Sequence, residues 1–314
     1  MQAVRVSSEK VMSEYDWKSQ LIDYYDSLEI MLAYLRATGE YRTHFGLADR
    51  DDDAYCFIKA CAMKERYPAA YDFLGTSMDT LHERLFRPFP FAPGAQVLDV
   101  GCGCGGTLKD LASEWGDVRF QGINLNPTQY RTAVDLLAGV ENVELLFGDF
   151  FEYPFNLSYD LVYFIESVFH MHDKEAVVDR LASITRPGGW VYMVDIFLPD
   201  TVYQRMGRRG GSAEPIFHYL SVERWRDLLE ARGFVLSPFE DLSEEASRTI
   251  AIRTSPEEFR REVVASRYGA KAQPALVAAA EKVYAGYRRL HRMLIQGQAR
   301  YGVLRARKGE APLK

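Results

Sequence analysis

The sequence predicts an α/β protein with a parallel sheet covered by helices on both faces. Three observations carry this. Between residue 95 and about residue 240, short apolar runs alternate with amphipathic helical stretches, the pattern of repeated strand–helix units. The first of these runs opens directly into a glycine turn, Gly101-Cys102-Gly103-Cys104-Gly105-Gly106, and a helical stretch follows. The regions on either side carry their apolar residues at helical spacing instead.

The elements follow in chain order. Residues 1–93 read as a helical cap. LIDYYDSLEIMLAYL places Leu21, Tyr24, Tyr25, Leu28, Met31 and Leu32 on one helical stripe. LADRDDDAYCFIKACAMKERY reads as an acidic loop feeding a helix, with Asp51, Asp52 and Asp53 suited to its N-terminal end. PAAYDFLGTSMDTLHERLFRPF gives another amphipathic helix, and Pro88, Pro90 and Pro93 break the chain after it. The core, residues 94–314, then takes its strands from AQVLDV, VRFQGINL, VELLFGD, YDLVYFIES, GWVYMVDIF and FVLSPFE. LKDLASEW, TQYRTAVDLLAG, KEAVVDRLASIT and VERWRDLLEARG are the intervening helices, joined by right-handed crossovers. A helical insertion over about 243–297 precedes ARYGVLRARKG, the last strand.

Composition narrows the function. The net charge of −6 and the lack of a long basic run argue against a nucleic-acid partner. The four cysteines, Cys56, Cys61, Cys102 and Cys104, form no C-x-x-C pair, which disfavours zinc and fits reduced thiols. MQAVRVSSEKVMSEYDWKSQ has no apolar core of a signal peptide, and no apolar run approaches the ~20 residues that span a bilayer. The expectation is a cytoplasmic protein without stable membrane insertion. The apolar faces of the flanking helices are compatible with a homo-oligomer.

VLDVGCGCGGTLKDLASEW carries the chemistry. Gly101 and Gly103 let a ligand lie against bare backbone at the carboxyl end of the first strand. A dinucleotide fold uses a similar turn, but Asp99 would repel a pyrophosphate. The ribose acid expected at the end of the second strand is also missing, since GINLNPTQ offers Asn124 there. VLDVGCGCGG resembles motif I of the class I S-adenosylmethionine methyltransferases. LLFGDF resembles their adenine-binding strand end, RPGGWVYMVD their fifth strand, and GINLNPTQ the variant in cyclopropane synthases, sterol methyltransferases and terpene-diphosphate methyltransferases. The likeness covers roughly residues 90–240. It implies a Rossmann-like, seven-stranded sheet with an N-terminal helical lid. It also implies S-adenosylmethionine as cofactor, bound by Asp99, Gly101, Gly103, Asn124, Leu125, Gln129, Asp149 and Phe150, with no protein-held metal.

The acceptor side rests on YFIESVFHMHDKEAVVDRL. Glu166 falls at a strand's carboxyl end, with His170 just after it. When an alkene attacks a sulfonium methyl, charge develops on the acceptor, and a carboxylate there stabilises it and can take a proton. The plainer alternatives are a turn-holding hydrogen bond for Glu166 and a packing role for His170. The Glu-Ser then His-Met run resembles tocopherol, sterol and terpene-diphosphate C-methyltransferases. The fullest likeness is to the geranyl and isopentenyl diphosphate C-methyltransferases, through IDYYDSLEIMLAYLRATGEYRTHFG, Glu166, and the layout from DLSEEASRTI to RYGVLRARKG. It implies C-methylation of a small isoprenoid diphosphate, with Glu166 and His170 catalytic and Tyr25 against the substrate. Arg42, His44, His170, Arg208 and Arg209 are then the candidate diphosphate donors, with Mg2+ as an optional companion of the diphosphate. Methylation of a sterol or quinol lipid, or of oxygen or nitrogen on another metabolite, stays open. So does a catalytically silent cofactor-binding scaffold.

Overall fold

A computed structural model describes residues 17–26, 39–52, 55–57, 60, 67–207, 216–265 and 274–310. Its centre is one sheet in the order β3-β2-β1-β4-β5-β8-β6. The strands are β1 (Gln96–Val100), β2 (Arg119–Asn124), β3 (Val143–Phe147), β4 (Tyr159–Ile165), β5 (Thr185–Phe197), β6 (Phe234–Leu236) and β8 (Arg300–Lys308). A two-residue strand, β7 (Glu240–Asp241), pairs beside Gly302 and Val303 of β8. β1 to β5 are parallel, while β8 runs antiparallel to both β5 and β6. The seven-stranded Rossmann-like fold expected from the sequence is present, with β7 as a small addition.

β5 begins at Thr185, ahead of the GWVYMVDIF run. A register shift opposite Tyr159 and Leu161 accommodates Pro187, Gly188 and Gly189 at this end.

Helices cover both faces. On one side α2 (Pro68–Phe86) and α3 (Gly106–Glu114) bury Leu81, Leu85, Phe86, Leu108 and Leu111 against β1 and β4. On the other, α5 (Lys174–Ile184) and α7 (Val222–Glu230) bury Val177, Leu181, Trp225 and Leu229 against Val162, Phe164 and Met193. Removing most of such a side chain costs roughly 2–5 kcal/mol.

The remaining helices are α1 (17–26), α4 (Pro127–Leu136), α6 (Asp200–Gly207), α8 (Ser243–Thr249), α9 (Pro256–Ala265) and α10 (Pro274–Ile295). α4 starts where it does because Pro127 suits a first helical turn and Asn126 caps it, its Oδ1 accepting from Thr128 N and Gln129 N. α8, α9 and α10 lie in sequence between β7 and β8. Tyr284 of α10 packs with Tyr55, Leu74 and Met78, so this segment and the N-terminal region share a cluster. Asp51 pairs with Arg253 at 3.3 Å.

The order of strands reverses between β1 and β4, and both end beside the glycine turn. That is where open α/β sheets bind ligands.

Candidate active site

A cavity of about 520 Å³ opens at these strand ends. Its floor is the turn after β1. Gly101 has φ 82° and its backbone N–H donates to Ile123 O on β2 at 2.9 Å. A Cβ there would sit 2.6 Å from Ser167 Cβ, so the closeness of the β1 and β4 turns requires glycine. Gly106 opens α3 under the backbone of Tyr41 and Arg42, where a Cβ would lie 2.6 Å from Arg42 N. The chain at 41–45 thus crosses directly over the turn.

Of the cofactor candidates, Gly101, Gly103, Asn124, Leu125, Gln129, Asp149 and Phe150 all line the cavity. Asn124 is committed internally: Nδ2 donates to Gly103 O at 2.8 Å and to Gln129 Oε1 at 3.1 Å, and Oδ1 accepts from Asn126 N. This leaves Gln129 Nε2 buried and without a partner among the described residues. A buried amide donor in that condition suits a ligand hydroxyl or carbonyl oxygen. With the bare glycine backbone below it, the site fits a nucleoside-bearing cofactor such as S-adenosylmethionine.

Two candidates sit differently from expectation. Asp99 is not in the cavity lining. It is buried below the turn, where Tyr163 donates to its Oδ2 at 2.9 Å and desolvation pushes its carboxyl up to about 7. Asp149 accepts from Phe151 N at 2.9 Å and pairs with Lys18 Nζ at 2.7 Å. A ligand amino group must share or displace that lysine. Trp17, with a buried indole N–H lacking a partner among the described residues, lines the same end. Sequence reading missed Trp17 and Lys18, because nothing local ties them to a strand end well over a hundred residues away.

Glu166, the residue after β4, lies in the left-handed region, with φ 52°. Such a conformation costs a non-glycine residue of the order of 1–3 kcal/mol and is found where surrounding contacts enforce it. Phe45 N donates to its Oε1 at 2.6 Å and Tyr301 Oη at 2.9 Å. Desolvation, opposed by these two donors, pushes the carboxyl up to about 8. Tyr24, Tyr25, Phe169, Phe217, Tyr219 and Tyr287 line the same cavity. Phe217 and Tyr219 stack at 5.9 Å and 13°.

His170 is buried in the same wall. Its Nδ1 lies 2.9 Å from Ile216 O and so donates, which leaves Nε2 to accept from Tyr25 Oη at 2.8 Å. Burial pushes its pKa down to about 3, so the ring is neutral. A neutral ring whose one N–H is already spent is no diphosphate clamp, which corrects that expectation for His170. Lys174 and Asp195 brace this stretch from behind: Lys174 Nζ donates to Val168 O, and Asp195 Oδ2 accepts from Phe169 N.

Two further diphosphate donors are corrected as well. Arg42 forms a fork on Glu40, with two bonds of 2.8 Å, and reaches Asp79 and Asp110. Its charge is consumed by carboxylates away from the cavity. His44 is buried, bonded to Phe45 O and to His82 Nε2, and held neutral by desolvation, with its pKa down to about 4. Arg208 and Arg209 lie outside the described residues, as does Asp53. The cations that do line the cavity are Lys282 and Arg289 of α10, both exposed at its rim. Their spacing of seven, two helical turns, was the available signal for a shared face. Among the described residues no group of three or more His, Cys, Asp or Glu is placed to hold a metal ion. No helix among them is long and apolar enough to cross a membrane.

Residues 97–189 match the family model described as a methyltransferase domain. Sterol 24-C-methyltransferase ERG6B of Gibberella zeae is 31% identical over 162 residues, 48% of this chain and 42% of that protein. The structure of StiE O-MT residues 942–1257 superposes with a TM-score of 0.71 at 18% identity, covering 89% of this chain and 90% of that one. Geranyl diphosphate C-methyltransferase from Streptomyces coelicolor, in complex with Mg2+, geranyl-S-thiolodiphosphate and S-adenosyl-L-homocysteine, does so at 0.64 and 16% identity, over 93% and 98%. The chain spans about half or less of the length of the first curated relatives it matches.

Proposed function

Given that the chain carries a class I S-adenosylmethionine methyltransferase domain, we propose that the protein transfers a methyl group to an alkene carbon of an isoprenoid diphosphate. The observation that carries this reading is Glu166: a carboxyl, backed by strained backbone, in a cavity that is also lined by Tyr24, Phe169, Phe217, Tyr219 and Tyr287. When bound, the cofactor supplies an electrophilic methyl group. The glycine turn, Gln129, Asp149 and Phe150 would hold it.

The remaining chemistry belongs to the chain. An alkene that gains a methyl leaves positive charge on the neighbouring carbon. The Glu166 carboxylate stabilises that charge, and the faces of Phe217, Tyr219 and Tyr287 add ~1–2 kcal/mol each when dry. A cation nearby also lowers the Glu166 pKa from its desolvated value, which favours the ionised form where it is needed. The proton lost afterwards can pass to Glu166 or to water. The N-terminal segment and the helices between β7 and β8 act as the cap that excludes water from the cation. Lys282 and Arg289, in place of Arg42 and His44, face the anionic head at the rim. A divalent ion would enter with the diphosphate oxygens.

A second reading has its own observation. The Tyr25 hydroxyl, held at 2.8 Å by His170 Nε2, lines the cavity where it can position the oxygen of a phenol or alcohol for O-methylation. The test is transfer of labelled methyl from S-adenosylmethionine to a panel of prenyl diphosphates, phenols and quinols, with Glu166→Gln alongside. Carbon-methylated diphosphate, lost about 100-fold or more in the variant, supports the first reading. Label on oxygen, insensitive to Glu166→Gln but lost in His170→Ala, replaces it with the second.

A further inference from the structure

Tyr301 sits on β8, far in sequence from the turns that form the site, and its side chain is fully buried. Its backbone is fixed on both sides: it pairs with Ile196 of β5, its carbonyl accepts from Leu242 N, and its N–H donates to Ser243 Oγ. Its ring packs on Phe45 at 5.5 Å between centroids. Phe45 is the residue whose N–H is the other donor to Glu166. Both donors converge on one oxygen, Oε1. Oε2 has no hydrogen-bond partner among the described residues, and Glu166 lines the cavity.

We propose that Tyr301 is a positioning residue: its hydroxyl, with Phe45 N–H, pins Oε1 and so presents Oε2 as the one working face of Glu166 toward the acceptor. The proposal rests on the reading of Glu166 given above. The phenol is suited to the task because burial and the adjacent carboxylate hold it protonated, with its pKa well above the usual value, so it remains a donor. The ionisable groups facing Glu166 are few. Asp195 of β5 disfavours its ionisation, Tyr25 of α1 and His170 stand across the cavity, and Lys282 and Arg289 of α10 lie at the rim. Among the described residues, Tyr301 is the one side chain that hydrogen-bonds the carboxylate.

The test is Tyr301→Phe, which keeps the ring packing and removes the hydroxyl. The Glu166 titration is followed by NMR of carbon-labelled glutamate in the protein without cofactor, assigned with Glu166→Gln. Loss of one donor to the carboxylate raises its pKa by about one unit. Methyl transfer is then measured against pH. The acid limb of kcat, which reports Glu166 in the loaded enzyme, moves up in the same direction, giving up to about tenfold loss on its acid side that recovers on its alkaline side, with the KM for cofactor unchanged. A uniform loss at all pH values, with Glu166 titrating as in the parent protein, overturns the proposal. Placing 3-fluorotyrosine at position 301 keeps the shape and strengthens the donor, so the titration shifts the other way; this arm decides the matter if Tyr301→Phe fails to fold. Full activity in Glu166→Gln would sink the reading of Glu166 instead, while the titration still reports whether Tyr301 grips it.

Discussion

The two halves of the cavity are built by opposite means. The half proposed to hold the cofactor rests mainly on neighbouring stretches, namely the turn after β1, the end of β2, and the start of α4 with its Asn126 cap, to which Asp149 and the remote Trp17 and Lys18 add side chains. The acceptor half is made of side chains from remote places. Tyr25 comes from α1, Glu166 and His170 from the β4 turn, Phe217 and Tyr219 from the segment before α7, Tyr287 and Arg289 from α10, and Tyr301 from β8. Backbone recognition at a strand end is set by a few glycines and tolerates little change. A wall of distant side chains can be exchanged one residue at a time, which leaves one fold free to serve many acceptors.

That contrast can be broken, and the largest effect should come from the cofactor half. Gly101→Val forces a branched residue into the left-handed region and against Ser167. It should weaken cofactor binding by about 100-fold or more, read by calorimetry. Near-native affinity would show that the turn is not the floor of the site. The acceptor half should respond more gently. Lys282→Ala with Arg289→Ala should raise the KM for an anionic acceptor by about tenfold and leave cofactor affinity intact, a loss of ~1.4 kcal/mol. An unchanged KM would move the anionic head elsewhere.

Stability against pH sharpens the picture next. Glu166 at about 8 and Asp99 at about 7 are raised in the folded protein. Their contribution is fully present below the ordinary carboxylate range and is lost as pH rises through these values. His44 at about 4 and His170 at about 3 are lowered, so their contribution is lost as pH falls below about 6.5. Thermal midpoints of the protein without cofactor should therefore fall between about pH 6.5 and pH 8, and Glu166→Gln should flatten that limb. The smallest effect belongs to a local cap. Asn126→Ala should cost ~1 kcal/mol of stability in denaturant unfolding and weaken cofactor binding only slightly, since Gln129 stays on the same helix.

Legibility followed the same division. VLDVGCGCGG, GINLNPTQ and the Glu166 turn could be read because strand, turn and helix are fixed within a few residues of one another. Gly101, Gly103, Gln129 and Glu166 line the cavity for that reason. Arg42 and His44 misled because a basic residue in a helical flank looks free until its partners are known. The carboxylates of Glu40, Asp79 and Asp110 take the one, and His82 takes the other. Nothing in RYGVLRARKG marks Tyr301 as a partner of a glutamate 135 residues earlier.

The sequence by itself determined the sheet, the glycine turn after β1 and the carboxyl that follows β4. Hydrophobic periodicity and glycine conformation act over short spans, and they leave little choice. The tertiary structure alone decided which cations face the cavity, which hydroxyl holds Glu166, and that Lys18 meets Asp149. These depend on where independently folded segments meet. There, desolvation and pairing, rather than residue type, settle whether a charge is spent or available.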